Sequence, residues 1–275
     1  MRGWLNLFLL TIMILGNGCS QKVPEHFILV KGGTFKNNRS NYYGKNVSVS
    51  NFYIGKYEIT QKEWIEVMGN NPSQFKGDNL PVEMVSWYDC IEYCNRRSQK
   101  EELKPYYQIE KNKKDPGNDN DFDDVKWIVT INSGANGYRL PTEIEWEYAA
   151  SGGQLSKNYL YSGSNDINEV AWYWRNSGDK FLTEYWSWPV IEQNHNKTNP
   201  VGIKKPNELG LYDMSGNVRE WCWEWYKSND DEPIRKIWKG GGWLGAEFCC
   251  ELSYLGGFEA NGKGPDQGLR VCRSK

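Results

Sequence analysis

Apolar residues fall along this chain in short stretches, each soon closed by glycine, proline, asparagine or serine. Three stretches carry helical spacing. Thr60 with Glu63 forms a capping box and predicts a helix over Gln61–Met68. Ser86 with Asp89 does the same ahead of Trp87, Ile91 and Cys94, which repeat on one helical face. Thr142 caps a third, with Glu145 three residues on and Trp146, Ala149 and Ala150 as its buried stripe. Phe27–Tyr53 reads as strands and turns, and Trp221, Trp223 and Trp225 alternate as in a half-buried strand. Polar connections separate these pieces: Asn37–Asn46, Lys111–Asp124, Ser151–Ile167 and Trp186–Asn199. Lys111–Asp124 is acidic in its second half, but its spacing does not fit an EF-hand, so it reads as a solvated loop. Trp186–Asn199 reads as a surface excursion, and no solenoid period is visible. The expectation is a loop-rich α+β domain over residues 27–275, with few short strands and about three helices.

Composition sharpens this. In 275 residues there are 14 Trp, 17 Tyr and 28 Gly, enough aromatic area to fill a core that has few long regular elements. A formal net charge of -2 gives no electrostatic case for nucleic acid. At the start, Phe8–Leu15 is too short to span a bilayer and is followed by Gly16-Asn17-Gly18-Cys19. Residues 1–19 read as a lipoprotein signal with Cys19 as the acylated residue and 20–26 as a short tether; a plain cleaved signal is the alternative. The chain is then exported and held on the bacterial envelope, on its outer surface. Cys90, Cys94, Cys222, Cys249, Cys250 and Cys272 remain, without disulfide or zinc spacing, and read mostly as small buried residues.

Three blocks in one order carry a family resemblance: GYRLPTEIEWEYAASGG (Gly137–Gly153), NELGLYDMSGNVREWCWEW (Asn207–Trp225) and WKGGGW (Trp238–Trp243). With VKGGTF (Val30–Phe35), YIGKYEITQKEW (Tyr53–Trp64) and GLRVCR (Gly268–Arg273), they resemble the formylglycine-generating-enzyme (sulfatase-modifying factor) family over nearly the whole mature chain. The resemblance implies an elaborated C-type-lectin-like fold. The subgroup most similar is that of the retroelement-diversified variable proteins, such as the Treponema variable protein, in which a variable C-terminal segment binds ligand.

The resemblance also implies sites. Asp213, Gly216, Val218 and Glu220 match positions that bind calcium in the family, two through carboxylates and two through carbonyls. A carboxylate-held turn without metal is equally open, and Arg219 stands where the family has Trp. Catalytic members bind copper through two cysteines after the Gly-Gly block and oxidise a substrate cysteine with oxygen. Here Gly245 falls at the first and Cys250 at the second, and Phe258 replaces a family arginine, so no copper is expected. The expected function is non-catalytic ligand display over about 238–275. Trp238, Gly242, Trp243, Leu244, Gly245, Ala246, Phe248, Cys249, Cys250, Leu252, Ser253, Leu255, Gly256 and Phe258 are its candidate residues, some inward and several displayed. A protein or glycan is the ligand and the chain a monomer. A copper oxidase and a structural envelope lipoprotein are the alternatives. Arg139 and Glu143 are expected to pair at the third helix start, and Arg270 and Arg273 to brace the terminal strand.

Overall fold

The computed structural model describes residues 26–229 and 231–275, so the Cys19 expectation lies outside the described residues. Among the described residues eleven short strands are ordered β1 (Phe27–Val30), β2 (Gly33–Thr34), β3 (Ser48–Val49), β4 (Phe52–Gly55), β5 (Tyr107–Lys114), β6 (Trp127–Ile131), β7 (Arg219–Tyr226), β8 (Arg235–Lys239), β9 (Gly256–Phe258), β10 (Gln267–Gly268) and β11 (Cys272–Ser274). Five α-helices accompany them among the described residues: α1 (Gln61–Met68), α2 (Trp87–Lys100), α3 (Glu143–Ala150), α4 (Ile167–Val170) and α5 (Trp188–Gln193). Two sheets matter here, one ordered β1-β4-β11 and one ordered β10-β7-β8-β9; β5 and β6 form a separate hairpin. In the first sheet β4 lies between the first and last strands of the described residues, Phe27 pairing with Gly55 and Cys272 with Ile54.

The first three helices start where the sequence places them. Thr60, Ser86 and Thr142 each accept the N–H of the residue three along, and that residue's carboxylate returns the bond. Trp87, Ile91 and Cys94 of α2 and Trp146, Ala149 and Ala150 of α3 are buried. Two helices were not expected. α4 has only four residues and no room for a helical stripe. α5 lies inside the supposed excursion, which is anchored by buried Ile191, Asn194 and Asn196. Lys111–Asp124 is mostly exposed, as a solvated loop should be, but part of it is strand and Asn118, Asn120 and Asp123 are buried. β5 extends to Lys114, and buried Asp123 accepts the N–H groups of Ala260 and Asn261 at 3.2 and 2.8 Å. The acidic run thus serves as a backbone cap for the C-terminal segment.

The Arg139 expectation needs correcting. Its guanidinium bonds Glu145 at 2.6 and 2.7 Å, not Glu143. Glu145 is the capping-box carboxylate and already faces the chain entering α3. Glu143 instead points at Lys239, 3.2 Å away on β8. At the other end Arg270 pairs with an acidic residue, Glu220, as expected, whereas Arg273 donates to a backbone carbonyl, that of Asn136, beside the Tyr138 ring. All six cysteines among the described residues are buried and free.

Candidate functional site

The segment after β8 turns on Gly240 and Gly241, both at positive φ; a Cβ on Gly241 would lie 2.8 Å from the Cys249 carbonyl oxygen. From there the backbone is held by the rest of the molecule. Trp243 N–H donates to the Asn217 carbonyl at 2.8 Å, and Ser177 Oγ donates to the Trp243 carbonyl at 3.0 Å. Ser215 Oγ donates to the Cys250 carbonyl at 2.8 Å, Asn41 Nδ2 to the Ser253 carbonyl at 2.6 Å, and Leu252 N–H to the Leu160 carbonyl at 3.1 Å. Lys239, with no exposed surface, donates to the Leu252 carbonyl at 2.9 Å while pairing with Glu147 at 2.9 Å. A segment fixed this way loses little conformational freedom when something binds to it.

The fourteen candidate face residues divide. Trp238, Gly242, Trp243, Gly245, Cys249, Cys250 and Leu252 are buried and display nothing, which corrects their place on the face. The physical reason is packing: Trp243 and Cys250 belong to an apolar cluster with Tyr161, Val170 and Trp174, and Leu252 to the one around Trp146. Leu244, Ala246, Ser253, Leu255, Gly256 and Phe258 are half-buried, and Phe248 is 54% exposed. Phe248 sits in a short 3-10 turn, Glu247–Cys250, and packs edge-on against Tyr254, with ring centroids 5.4 Å apart.

Sequence reasoning missed the neighbouring loop. Arg175 Nε bonds Glu247 at 2.8 Å, and its Nη1 bonds the Leu182 and Glu184 carbonyls at 3.0 and 3.3 Å. One guanidinium thereby ties the Phe248 turn to residues 181–188. Along that loop and at the first residue of α5, Phe181, Tyr185, Trp186 and Trp188 are exposed by 52, 96, 45 and 51%. Four large aromatic side chains in water over residues 181–188 form the kind of patch that marks a contact surface. The available signal was the run FLTEYWSW, rich in aromatics but with no core periodicity.

Burial pushes the Cys250 thiol up, and burial does the same to Cys249 against the nearby Arg219 charge. A Cβ built on Gly245 lies 3.4 Å from the Cys249 Cβ and 3.1 Å from the Gly242 carbonyl oxygen, so the position is small as well as lacking sulfur.

The supposed calcium residues are built differently. Glu220 is fully buried; both its oxygens accept from Arg270, at 2.6 to 3.0 Å, and one also accepts the Trp146 indole N–H at 2.7 Å. Asp213 Oδ2 accepts the Gly202 N–H at 2.7 Å, and its Oδ1 is buried without a partner. Glu58, unnoticed in the sequence, accepts from Val218 N–H and Asn217 Nδ2 at 3.0 and 2.7 Å. Calcium wants six to eight free oxygens. Here a guanidinium already supplies the positive charge, and no group of three His, Cys, Asp or Glu among the described residues could hold a metal. Glu220 thus offers a calcium ion no free oxygen, while Asp213 keeps one. Arg219 pairs with Asp266 at 3.2 Å.

Burial raises the Asp213 carboxyl to about 6, and burial likewise raises Glu58 beside it. A carboxyl raised on folding stabilises the fold fully below its unfolded value, near 3.9, and that contribution is lost as pH rises through about 6. Asp213→Asn should therefore flatten the fall in unfolding free energy, read from urea titrations between about pH 4 and pH 7, by on the order of 2 kcal/mol. Parallel pH profiles for parent and variant would refute this.

Comparison with known proteins now fits the geometry. An elaborated C-type-lectin fold carrying a framework-held C-terminal segment is the fold shared with its formylglycine-generating-type neighbours. The chain belongs to that family: the sulfatase-modifying factor enzyme 1-like domain matches residues 17–275. It is 60% identical over 281 residues, 100% of both chains, to the chaperone protein LppX of Paenibacillus barcinonensis. It is 37% identical over 95 residues to the formylglycine-generating enzyme of Streptomyces coelicolor, 33% of this chain and 27% of that enzyme. Treponema denticola variable protein 1 superposes with a TM-score of 0.70 at 29% identity, covering 90% of this chain and 95% of that one.

Proposed function

We propose that this chain is a non-catalytic polypeptide-binding protein, exported and tethered to the bacterial envelope through Cys19. Its binding face joins the Phe248 turn to the aromatic loop 181–188. The observation that carries the reading is the contrast at that face: a backbone fixed by framework hydrogen bonds beside five exposed aromatic rings, with Gly245 where a catalytic thiol would stand. Exposed Phe, Tyr and Trp on a stiff support suit apolar stretches of an incompletely folded client. The full-length likeness to a protein named as a chaperone supports that choice of ligand over a glycan at this face.

Light scattering from a chemically unfolded client protein tests this. The purified chain should suppress aggregation near equal molar amounts. The triple variant Trp186→Ser, Trp188→Ser, Phe248→Ser should keep its melting temperature and lose client affinity by more than about tenfold. No suppression by the parent, or copper- and oxygen-dependent oxidation of a cysteine peptide, would reject the reading.

The likeness to a variable protein supports a second reading, ligand display on a retroelement-diversified segment. It requires a near-copy of the coding region for about 238–275 close to a reverse transcriptase gene, and a genome lacking both removes it.

A further inference from the structure

The stretch that carries Tyr185 and Trp186 has few ties to the rest of the molecule. It leaves buried Leu182 and runs to Ser187, the residue ahead of α5. Between those two points, residues 183–186 bond no other backbone group among the described residues. The Thr183 N–H turns to the side chain of Glu184 at 3.0 Å. Lys180 stands 4.0 Å from that carboxylate, with both side chains in solvent. The framework reaches the stretch at the Glu184 carbonyl, which accepts from Arg175 Nη1 at 3.3 Å. Arg175 is itself well fixed. Its carbonyl accepts the Leu182 N–H at 2.7 Å, and its Nη1 donates to the Leu182 carbonyl at 3.0 Å. Its guanidinium lies 4.0 Å from the centre of the buried Trp174 ring. Its Nε donates to Glu247 at 2.8 Å, next to Phe248 in the chain.

We infer that Arg175 and Glu247 form a clasp that sets how tightly the client is held, by keeping Tyr185 and Trp186 in fixed register with Phe248. This rests on the client-binding reading above and names the positioning residue of that same face. The geometry selects arginine. One planar group meets a carboxylate through Nε and two carbonyls through Nη1, which a single lysine nitrogen cannot span. Burial pushes the Glu247 carboxyl up, but its own backbone N–H and the Arg175 guanidinium bring it below the usual carboxylate range. The pair is therefore ionic at neutral pH. Its side chains are 28 and 40% exposed, and a pair so open to water adds little to global stability. The effect is local. With the clasp removed, 183–186 keep no hydrogen bond to the framework among the described residues. The stretch must then be ordered each time a client binds, and that entropy is lost from affinity and not from melting temperature.

Arg175→Met and Glu247→Gln, made singly and together in the full chain, test the clasp with two readouts. The rate of chymotrypsin cleavage after Tyr185 or Trp186, without client, reports how firmly the stretch is held. Titration with a permanently unfolded model polypeptide reports the grip. Arg175→Met should speed cleavage and weaken client affinity, each about tenfold, at unchanged melting temperature. Glu247→Gln should do the same about threefold. The double variant should match Arg175→Met, because Glu247 then has no guanidinium left to hold. Arg175→Lys keeps the charge and should still fall short of the parent in both readouts. Effects that multiply in the double variant, full recovery by lysine, or parent-like cleavage and affinity in Arg175→Met overturn the clasp. A parent that binds no client rejects the binding reading and, with it, the clasp's hold on affinity. A binding parent with an unaltered Arg175→Met rejects the clasp alone.

Discussion

Arg270→Met should lower the melting temperature by roughly 6–20 °C, the equivalent of about 3–5 kcal/mol for breaking a buried ion pair in a domain of this size. Arg270 has no exposed surface, and among the described residues no other cation is paired with Glu220. The Arg270 guanidinium bonds Glu220 through two nitrogens and the Gly55 and Tyr212 carbonyls at 3.0 and 2.8 Å. Its charge is held by Glu220 first, then by Glu58 and Asp213. Remove it, and three buried carboxylates face one another without compensation, and two carbonyls lose their donor. Arg270→Lys keeps the charge but cannot span Glu220 and both carbonyls, so it should fall between parent and Met variant. If Arg270→Met yields no folded protein, the Lys variant still carries the test. Parent-like melting of either would show that Glu220 is neutralised by something else.

Lys239→Met should cost a similar amount, about 3–5 kcal/mol, and should also loosen the binding face. Lys239 lies between Glu147 and Glu143, both on α3, and holds the Leu252 carbonyl. Glu147 keeps Ser40 Oγ and Asn41 N–H on its other oxygen at 2.6 and 2.7 Å, but that leaves its charge unpaired when the lysine is gone. The chain from Gly240 to Leu252 would lose an internal anchor. Faster amide exchange across 244–255, alongside the lower melting temperature, is the signature expected; a stability loss with unchanged exchange there would mean that Lys239 acts on α3 alone.

What the sequence made legible was local. The three capping boxes are pairs three residues apart, and the periodic burial of α2 and α3 follows from spacing within one element. Trp221, Trp223 and Trp225 do lie on one strand, β7, although Trp221 is wholly buried and a bulge interrupts the pairing beyond it. The failures were long-range. Glu58 acts through Asn217 and Val218, about 160 positions away, and nothing near it in the chain marks it. Lys236 and Lys239 are buried on β8, against the usual habit of lysine, because α2 and α3 bring indoles and carboxylates over that strand. Glu143 could not be told from Glu145 as the partner of Arg139, since both lie in the first turn of one helix. On the candidate face, composition identified the segment but not which side chains turn inward. The exposed aromatics of 181–188 were hidden because a tryptophan in a loop reads equally as core or as contact.

Recognition without bond-breaking, at a stiff aromatic edge, is the claim on which the functional account stands. Hydrogen-exchange mass spectrometry of the purified chain, alone and with a permanently unfolded model polypeptide, measures it most directly. Slowed exchange confined to 181–188 and 244–258 is the predicted footprint. Protection elsewhere, or none at client concentrations that suppress aggregation, would contradict it.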